Sequence, residues 1–375
     1  MSVPFLDLSR QHEPLKEEIS ASLRRVLDSG QFILGPESER LEEEVASLCG
    51  VSHAIAVGSG SDALVLALLA TGLSPGDEVV TTPFTFIATA TAIVRAGGRP
   101  VFADIDPESF TLDPAAAEAA SGPKTRAILP VDLYGRCAAW DAFEAIAARL
   151  GIAAVEDAAQ SIGAERNGRR AGAFGDAAAF SFYPTKNLGG MGDGGMVTTM
   201  RSEAARRIRL LRNHGDAGGY RHIELGMNSR LDAFQAAALR VKLRRLHAWN
   251  AERRRQAEWY ATRLREVLPG PTGAEGALRL PGLEDHVFHL YVVRARERDR
   301  LAEHLRERGV GVGVYYPIPL HRQPCFSGLG YKAGAFPEAE RASAEALALP
   351  LFPGLRENEQ EEVCRTVASF YGARP

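Results

Sequence analysis

Between residues 53 and 199 seven short apolar runs alternate with helical stretches, and no other feature limits the fold as tightly. The runs lie at residues 53–57, 78–82, 99–103, 127–131, 153–155, 177–182 and 195–199. Helical sequence separates several of them, at 62–70, 86–95 and 140–149. Short strands that are apolar on both faces, joined by helices, belong to a mostly parallel sheet covered on both sides. An α/β core with a seven-stranded sheet is therefore expected, the last two strands being joined by a glycine-rich turn.

Ahead of this core, apolar residues at helical spacing predict helices over 14–27 and 36–49, with the segment from Gly30 to Gly35 between them. Beyond Ser202 the chain turns Arg-rich, with helices predicted at 204–212 and 231–267. Pro269, Gly270 and Pro271 read as a boundary. Further on, strands are expected at 288–294 and 310–315, flanking a helix that Asp299 caps and Gly309 ends near Arg308. The chain thus divides into a large domain, residues 1–250, and a smaller α+β C-terminal domain, residues 251–375, that ends in helices.

The 375 residues carry a formal net charge of -3, which gives no footing for a nucleic-acid or membrane-surface partner. Arg244, Arg245, Arg253, Arg254 and Arg255 read as the solvated face of a helix, partnered by Glu252 and Glu258. Cys49, Cys137, Cys325 and Cys364 are scattered without a CxxC pair or a His/Cys cluster, so free thiols and no metal site are expected. The first residues lack the charged leader and apolar run of a signal peptide. No stretch reaches the ~20 apolar residues of a membrane span. A cytoplasmic location follows as the expectation.

Chemistry concentrates at strand ends. Lys186 follows an apolar strand in FSFYPTKNLGG, where burial would lower its pKa and make it an amine nucleophile. Alone, it would read sooner as a surface loop lysine, the common fate of lysines. Asp157 ends the strand before Ala158, at the sheet edge where ligands bind, and suits either a pyridine nitrogen or a helix N-cap. Gln160 lies one turn further on, placed to donate to a ring oxygen. Gly58-Ser59-Gly60-Ser61 opens a helix as an anion cradle would, although tight turns need glycine anyway. Phe86 stands after another strand end and suits either ring stacking or the core. A cradle, a stacking aromatic, an acid and a lysine in one α/β domain form a far more specific set than any member alone.

These segments resemble the sugar-nucleotide aminotransferases, the DegT/DnrJ/StrS group of aspartate-aminotransferase-fold enzymes. The resemblance runs nearly end to end, through GQFILGP at residues 30–36, GSGSDAL, PFTFIATA, residues 101–107, DLYG, EDAAQ, FSFYPTKNLGG, GMNSRLDAFQAA and YYPIPLH. It implies a fold type I transferase dependent on pyridoxal 5'-phosphate, held by Lys186 as an internal aldimine. Asp157 would pair with the pyridine nitrogen, Gln160 would contact the ring hydroxyl and Phe86 would stack on the ring. Gly60, Ser61 and Ser181 would hold the phosphate, with Asn228 reaching it from the neighbouring subunit of a homodimer with shared sites. Tyr183, Arg230, Tyr316 and His321 match positions near the substrate.

The implied reaction is a ping-pong transfer from L-glutamate to a 3-keto or 4-keto sugar nucleotide. Lysine at 186 favours transamination over the dehydration performed by relatives with histidine there. In members acting on 3-keto sugars a histidine often stands where this chain has Tyr315. A cyclitol or other free-ketone aminotransferase and a non-catalytic cofactor-binding regulator are the alternatives. A nicotinamide- or ATP-binding protein would need GxGxxG or a Walker loop, and the chain has neither.

Overall fold

The computed structural model describes residues 2–268 and 276–372 and is built around the expected seven-stranded sheet. The strands are β1 (His53–Val57), β2 (Glu78–Thr81), β3 (Arg99–Phe102), β4 (Thr125–Leu129), β5 (Ala153–Asp157), β6 (Glu165–Arg166), β7 (Arg169–Arg170), β8 (Ala177–Ser181), β9 (Gly195–Thr199), β10 (Leu278–Arg279), β11 (Tyr291–Ala295) and β12 (Ala346–Leu349). The helices are α1 (Leu8–His12), α2 (Lys16–Ser29), α3 (Pro36–Cys49), α4 (Gly60–Ala70), α5 (Ala88–Arg95), α6 (Pro114–Ala120), α7 (Trp140–Leu150), α8 (Ser202–Leu211), α9 (Ala233–Val267), α10 (Arg298–Glu307), α11 (Pro337–Glu345) and α12 (Glu357–Phe370).

The sheet order is β1-β9-β8-β5-β4-β2-β3. β9 runs antiparallel to both neighbours, and all the other pairings are parallel. The carboxyl ends of β1, β2, β4, β5 and β8 therefore share one edge with the start of β9, the edge where parallel sheets bind ligands.

Strand alternation feeds two separate cores. Ile55 and Val57 of β1 join the cluster around α4, while Ala54 and Ala56 join the one formed with α3 and α9. Residues 63–68 of α4 are buried all round, which explains why that helix has no polar stripe. Each such buried Leu or Val contributes on the order of 1.5–3 kcal/mol.

A second, antiparallel sheet has the order β10-β11-β12. The strand expected at 310–315 is absent. Val310 and Gly313 make only single bridges, to Val3 and Ala348, because the amino-terminal segment wedges against this run. A Cβ on Gly311 would lie 2.5 Å from the Phe5 backbone nitrogen. The third strand is β12, whose Ala-Leu-Ala-Leu text is buried throughout and carries no alternation to betray it.

α10 begins one residue before Asp299, with Glu297 at its N-cap position, so Asp299 is not the cap. α9 runs unbroken for 35 residues, past residue 250, and packs on both sheets. Asp232 caps it, accepting a hydrogen bond from the Gln235 N–H at 2.9 Å. The boundary read at Pro269, Gly270 and Pro271 lies outside the described residues.

Arg253 departs from the solvated-face reading. Arg244, Arg245 and Arg255 are exposed, but Arg253 is buried. It shares a stripe with Ala257, Tyr260 and Leu264, the face that α9 turns to the second sheet.

Candidate active site

A cavity of about 850 Å³ opens at the shared strand edge. Gly60, Ser61, Phe86, Asp157, Gln160, Ser181, Tyr183, Lys186 and Tyr316 all line it. Nine expected site residues from distant parts of the sequence thus meet in one place.

The wall after β1 is the start of α4. Ser59 is its N-cap, with Oγ accepting from the Asp62 N–H at 3.1 Å. The first N–H groups of a helix have no intrahelical partner, and Gly60 and Ser61, which open α4 and line the cavity, carry two of them. Gly60 has to be glycine, since a Cβ would lie 2.6 Å from Ser181 Cβ. Gly195 meets the same turn from β9, where a Cβ would come within 2.4 Å of the Ser59 carbonyl oxygen. The cradle therefore forms by close approach of three chain segments.

Asp157, the last residue of β5, is 4% exposed. Burial raises its pKa, opposed by a hydrogen bond from Thr89 Oγ1 at 2.7 Å and by the Ala159 N–H at 3.2 Å. No helix starts there; residues 159–163 form turns, so the N-cap alternative fails. Thr89 went unread in the sequence. It sits one turn beyond Phe86 in PFTFIATA, and that helical spacing is the signal that marks it.

Gln160 is held at both ends. Its Oε1 accepts from the Tyr134 N–H at 2.7 Å, and its Nε2 donates to the Tyr316 hydroxyl at 3.1 Å. Tyr134 in turn donates its hydroxyl to the Tyr315 carbonyl. Phe86 precedes α5 rather than lying within it, exposed, with its ring 6.3 Å from that of Tyr316.

Lys186 sits in the turn after β8, its N–H bonded to the Tyr183 carbonyl at 2.9 Å. Of five lysines in the chain it is the one that lines the cavity. Burial pushes its pKa down to about 8, against the pull of Asp157. A lysine so placed is a usable nucleophile and proton carrier.

Three expected residues fall outside the lining. Arg230 donates to Asn213 Oδ1 at 2.9 Å, and its buried Nε has no partner. His321 is buried, with Nε2 2.9 Å from Glu340 Oε1 and its ring edge-on to Phe336. Asn228 is exposed, next to Ser229, whose Oγ accepts from the Gly58 N–H at 3.0 Å and donates to Asp62 at 2.9 Å. The GMNSR segment is thereby tied to the cradle turn, although Asn228 itself is not in the cavity. His289 and Arg253 do line it, and neither was read as a site residue.

Among the described residues, no helix is long and apolar enough to cross a membrane. The same residues hold no cluster of three or more His, Cys, Asp or Glu suited to a metal ion.

A family model described as the DegT/DnrJ/EryC1/StrS aminotransferase family matches residues 13–368. A Geobacillus stearothermophilus protein named pleiotropic regulatory protein is 50% identical, over 99% of each chain. The dTDP-3-amino-3,4,6-trideoxy-alpha-D-glucose transaminase of Streptomyces venezuelae is 45% identical, over 98% of this chain and 96% of that one. The crystal structure of S. venezuelae DesV in complex with a ketimine intermediate superposes with a TM-score of 0.95 at 43% identity, covering 100% of both chains.

Proposed function

The chain belongs to the DegT/DnrJ/EryC1/StrS aminotransferase family, and from that membership we propose that it moves an amino group from L-glutamate to a keto sugar nucleotide, using pyridoxal 5'-phosphate. The acceptor is a 3-keto or 4-keto hexose carried on a nucleoside diphosphate. The observation that carries this reading is Lys186, the cavity's own lysine, brought by burial to a pKa of about 8.

The lining fits the cofactor. The N–H groups of Gly60 and Ser61 and the Ser181 hydroxyl would hold its phosphate, with Phe86 against the ring face. Asp157 would face the ring nitrogen and Gln160 the ring hydroxyl. When bound, pyridoxal phosphate supplies an electron sink for a carbon that loses a proton. Thr89 and the Ala159 N–H favour the anionic form of Asp157, the form that keeps a proton on a facing nitrogen. Lys186 attaches the cofactor. With its amine free, Nζ takes a proton from the carbon bearing the donor's amino group and later delivers one to the acceptor carbon. Tyr183 and Tyr316 border the space left for the sugar. Donor and acceptor use one cavity in turn, which gives ping-pong kinetics.

Residues 1–250 form the cofactor-binding unit in this reading, and 251–375 add Arg253, His289, Tyr315 and Tyr316 to the cavity's lining. Asn228 reaches the phosphate of a second copy, so the working form is a homodimer. The exposed Phe32, Ile33, Tyr220 and Leu225 supply apolar surface for that contact. Four unpaired cysteines suit a reducing cytoplasm.

The test is transfer of label from L-[15N]glutamate to a panel of 3-keto and 4-keto sugar nucleotides, followed by mass spectrometry. Appearance of a labelled amino sugar nucleotide supports the proposal. Cofactor binding without transfer to any acceptor would favour a regulator, the role in the name of the Geobacillus relative.

A further inference from the structure

Lys242 lies on α9 with its side chain in the interior, 1% exposed. Among the described residues no carboxylate pairs with it, and burial lowers its pKa to about 8. Buried arginines of the fold are served differently: Arg212 meets Glu42 at 2.5 Å and Arg294 meets Glu345 at 2.8 Å. A cation held out of water without a counter-ion persists only where its hydrogen bonds are complete.

They are complete here. Lys242 Nζ donates to the Gly189 carbonyl at 2.8 Å, to the Gly190 carbonyl at 3.4 Å and to His12 Nε2 at 2.9 Å. An ammonium has three N–H groups and no acceptor, so all three are used. The His12 ring must then be neutral, with its proton on Nδ1. Burial and the Lys242 charge both press the His12 pKa down, in agreement.

The two carbonyls belong to the turn that carries Lys186, and both glycines are buried. That turn closes on itself. The Lys186 N–H bonds the Tyr183 carbonyl at 2.9 Å, and the Gly190 N–H bonds the Phe182 carbonyl at 2.7 Å. A closed turn keeps its shape and is aimed by what holds it from outside. α9 holds it with Gln235, Lys242 and Asn250, seven and eight residues apart and so on one face. Gln235 Oε1 accepts from the Met191 N–H at 2.7 Å, and Asn250 Oδ1 from Asn187 Nδ2 at 2.8 Å. Lys242 is the central grip and the charged one. His12 brings a second segment to the same point, at the end of α1, which Arg10 fastens to Glu359 of α12 at 2.6 and 2.8 Å.

We infer that Lys242, with His12 as its third partner, is a positioning residue for Lys186: it fixes the turn so that the Lys186 amine stays inside the cavity, against the carbon whose proton it moves. The proton transfer rests on the amino-transfer reading above; the grip on the turn stands on geometry. A proton carrier displaced by an ångström loses turnover more than binding. Once released, the turn also lets water reach Lys186, whose lowered pKa depends first on burial.

The probe is acetic anhydride, applied to the cofactor-free protein over a pH series, with acetylation of the Lys186 peptide read by mass spectrometry. The wild-type midpoint lies near 8. In Lys242→Met, which fills the space and donates nothing, the midpoint rises by about one pH unit toward the ~10.4 of a free lysine. Lys242→Arg, which can donate to both carbonyls, recovers part of that rise. Asp157 and His289 face Lys186 and are unaltered in these variants, so the shift reports the turn. In steady state the kcat of Lys242→Met falls roughly tenfold, while KM for L-glutamate and for the sugar nucleotide stays within about twofold.

A wild-type midpoint in Lys242→Met, with only the melting temperature lowered, overturns the proposal, since Lys242 would then brace the fold and nothing more. If Lys242→Met does not fold, His12→Ala, at a half-buried position, carries the test. Loss of the third acceptor moves the Lys186 midpoint the same way by a smaller step, and an unmoved midpoint overturns the proposal. A shifted midpoint in a protein that transfers no amino group would sink the amino-transfer reading and leave the grip on the turn standing.

Discussion

At the scale of single residues, the site depends on two groups moved from their ordinary pKa values by burial. Lys186 is lowered to about 8. In the cofactor-free protein the reactive amine therefore appears from about pH 8 upward, instead of near the ~10.4 of a free lysine. Borohydride fixation of pyridoxal phosphate on the Lys186 peptide should rise with pH, with its midpoint near 8. Over that same interval the unfolded chain binds more protons than the folded one, so cofactor-free stability from this group increases as pH climbs. Lys186→Ala should abolish transfer in a protein that still folds and binds the cofactor noncovalently. The Asp157 pKa is raised by burial, and the hydrogen bond from Thr89 opposes that rise by favouring the anion. Removing that hydroxyl in Thr89→Val should lower kcat/KM roughly tenfold, with Thr89→Ser restoring most of it. An unaltered kcat/KM in Thr89→Val would show that Asp157 needs no such support.

At the scale of elements, the cradle exists because the β1 turn, β8 and β9 approach more closely than any Cβ allows. Gly60→Ala places a carbon 2.6 Å from Ser181 Cβ and should weaken pyridoxal phosphate binding by tenfold or more, measured by equilibrium dialysis. The strands themselves were legible in the sequence because buried parallel strands are continuous apolar runs. β12 was not, since Ala-Leu-Ala-Leu following a helix looks like more helix. The run at 310–315 has strand composition but no ladder, because residues from the chain's beginning occupy that side. Arg253 was misread as solvated because it sits among other arginines. Its spacing of four and seven from Ala257 and Tyr260 placed it on the buried stripe all along.

At the scale of the whole molecule, the residues that line the cavity were legible because each lies in a short motif at a strand end. Their convergence is a consequence of strand order, and residues beyond the sheet had no such anchor. His321 turns into a pocket with Glu340 and Phe336, and Arg230 pairs with Asn213; no local pattern reports which segments will surround a side chain. The homodimer proposal makes its own prediction. The protein should sediment as a dimer, and Asn228→Ala should raise the dissociation constant for pyridoxal phosphate while leaving the dimer intact. Unchanged affinity would count against a shared site. The most direct test of the central claim is a half-reaction, in which cofactor-loaded protein receives L-glutamate without an acceptor and 2-oxoglutarate is counted. Amino transfer through Lys186 predicts about one 2-oxoglutarate per chain, then a halt until a keto sugar nucleotide is added, and none from Lys186→Ala. No 2-oxoglutarate from the wild type, or the same yield from Lys186→Ala, would contradict it.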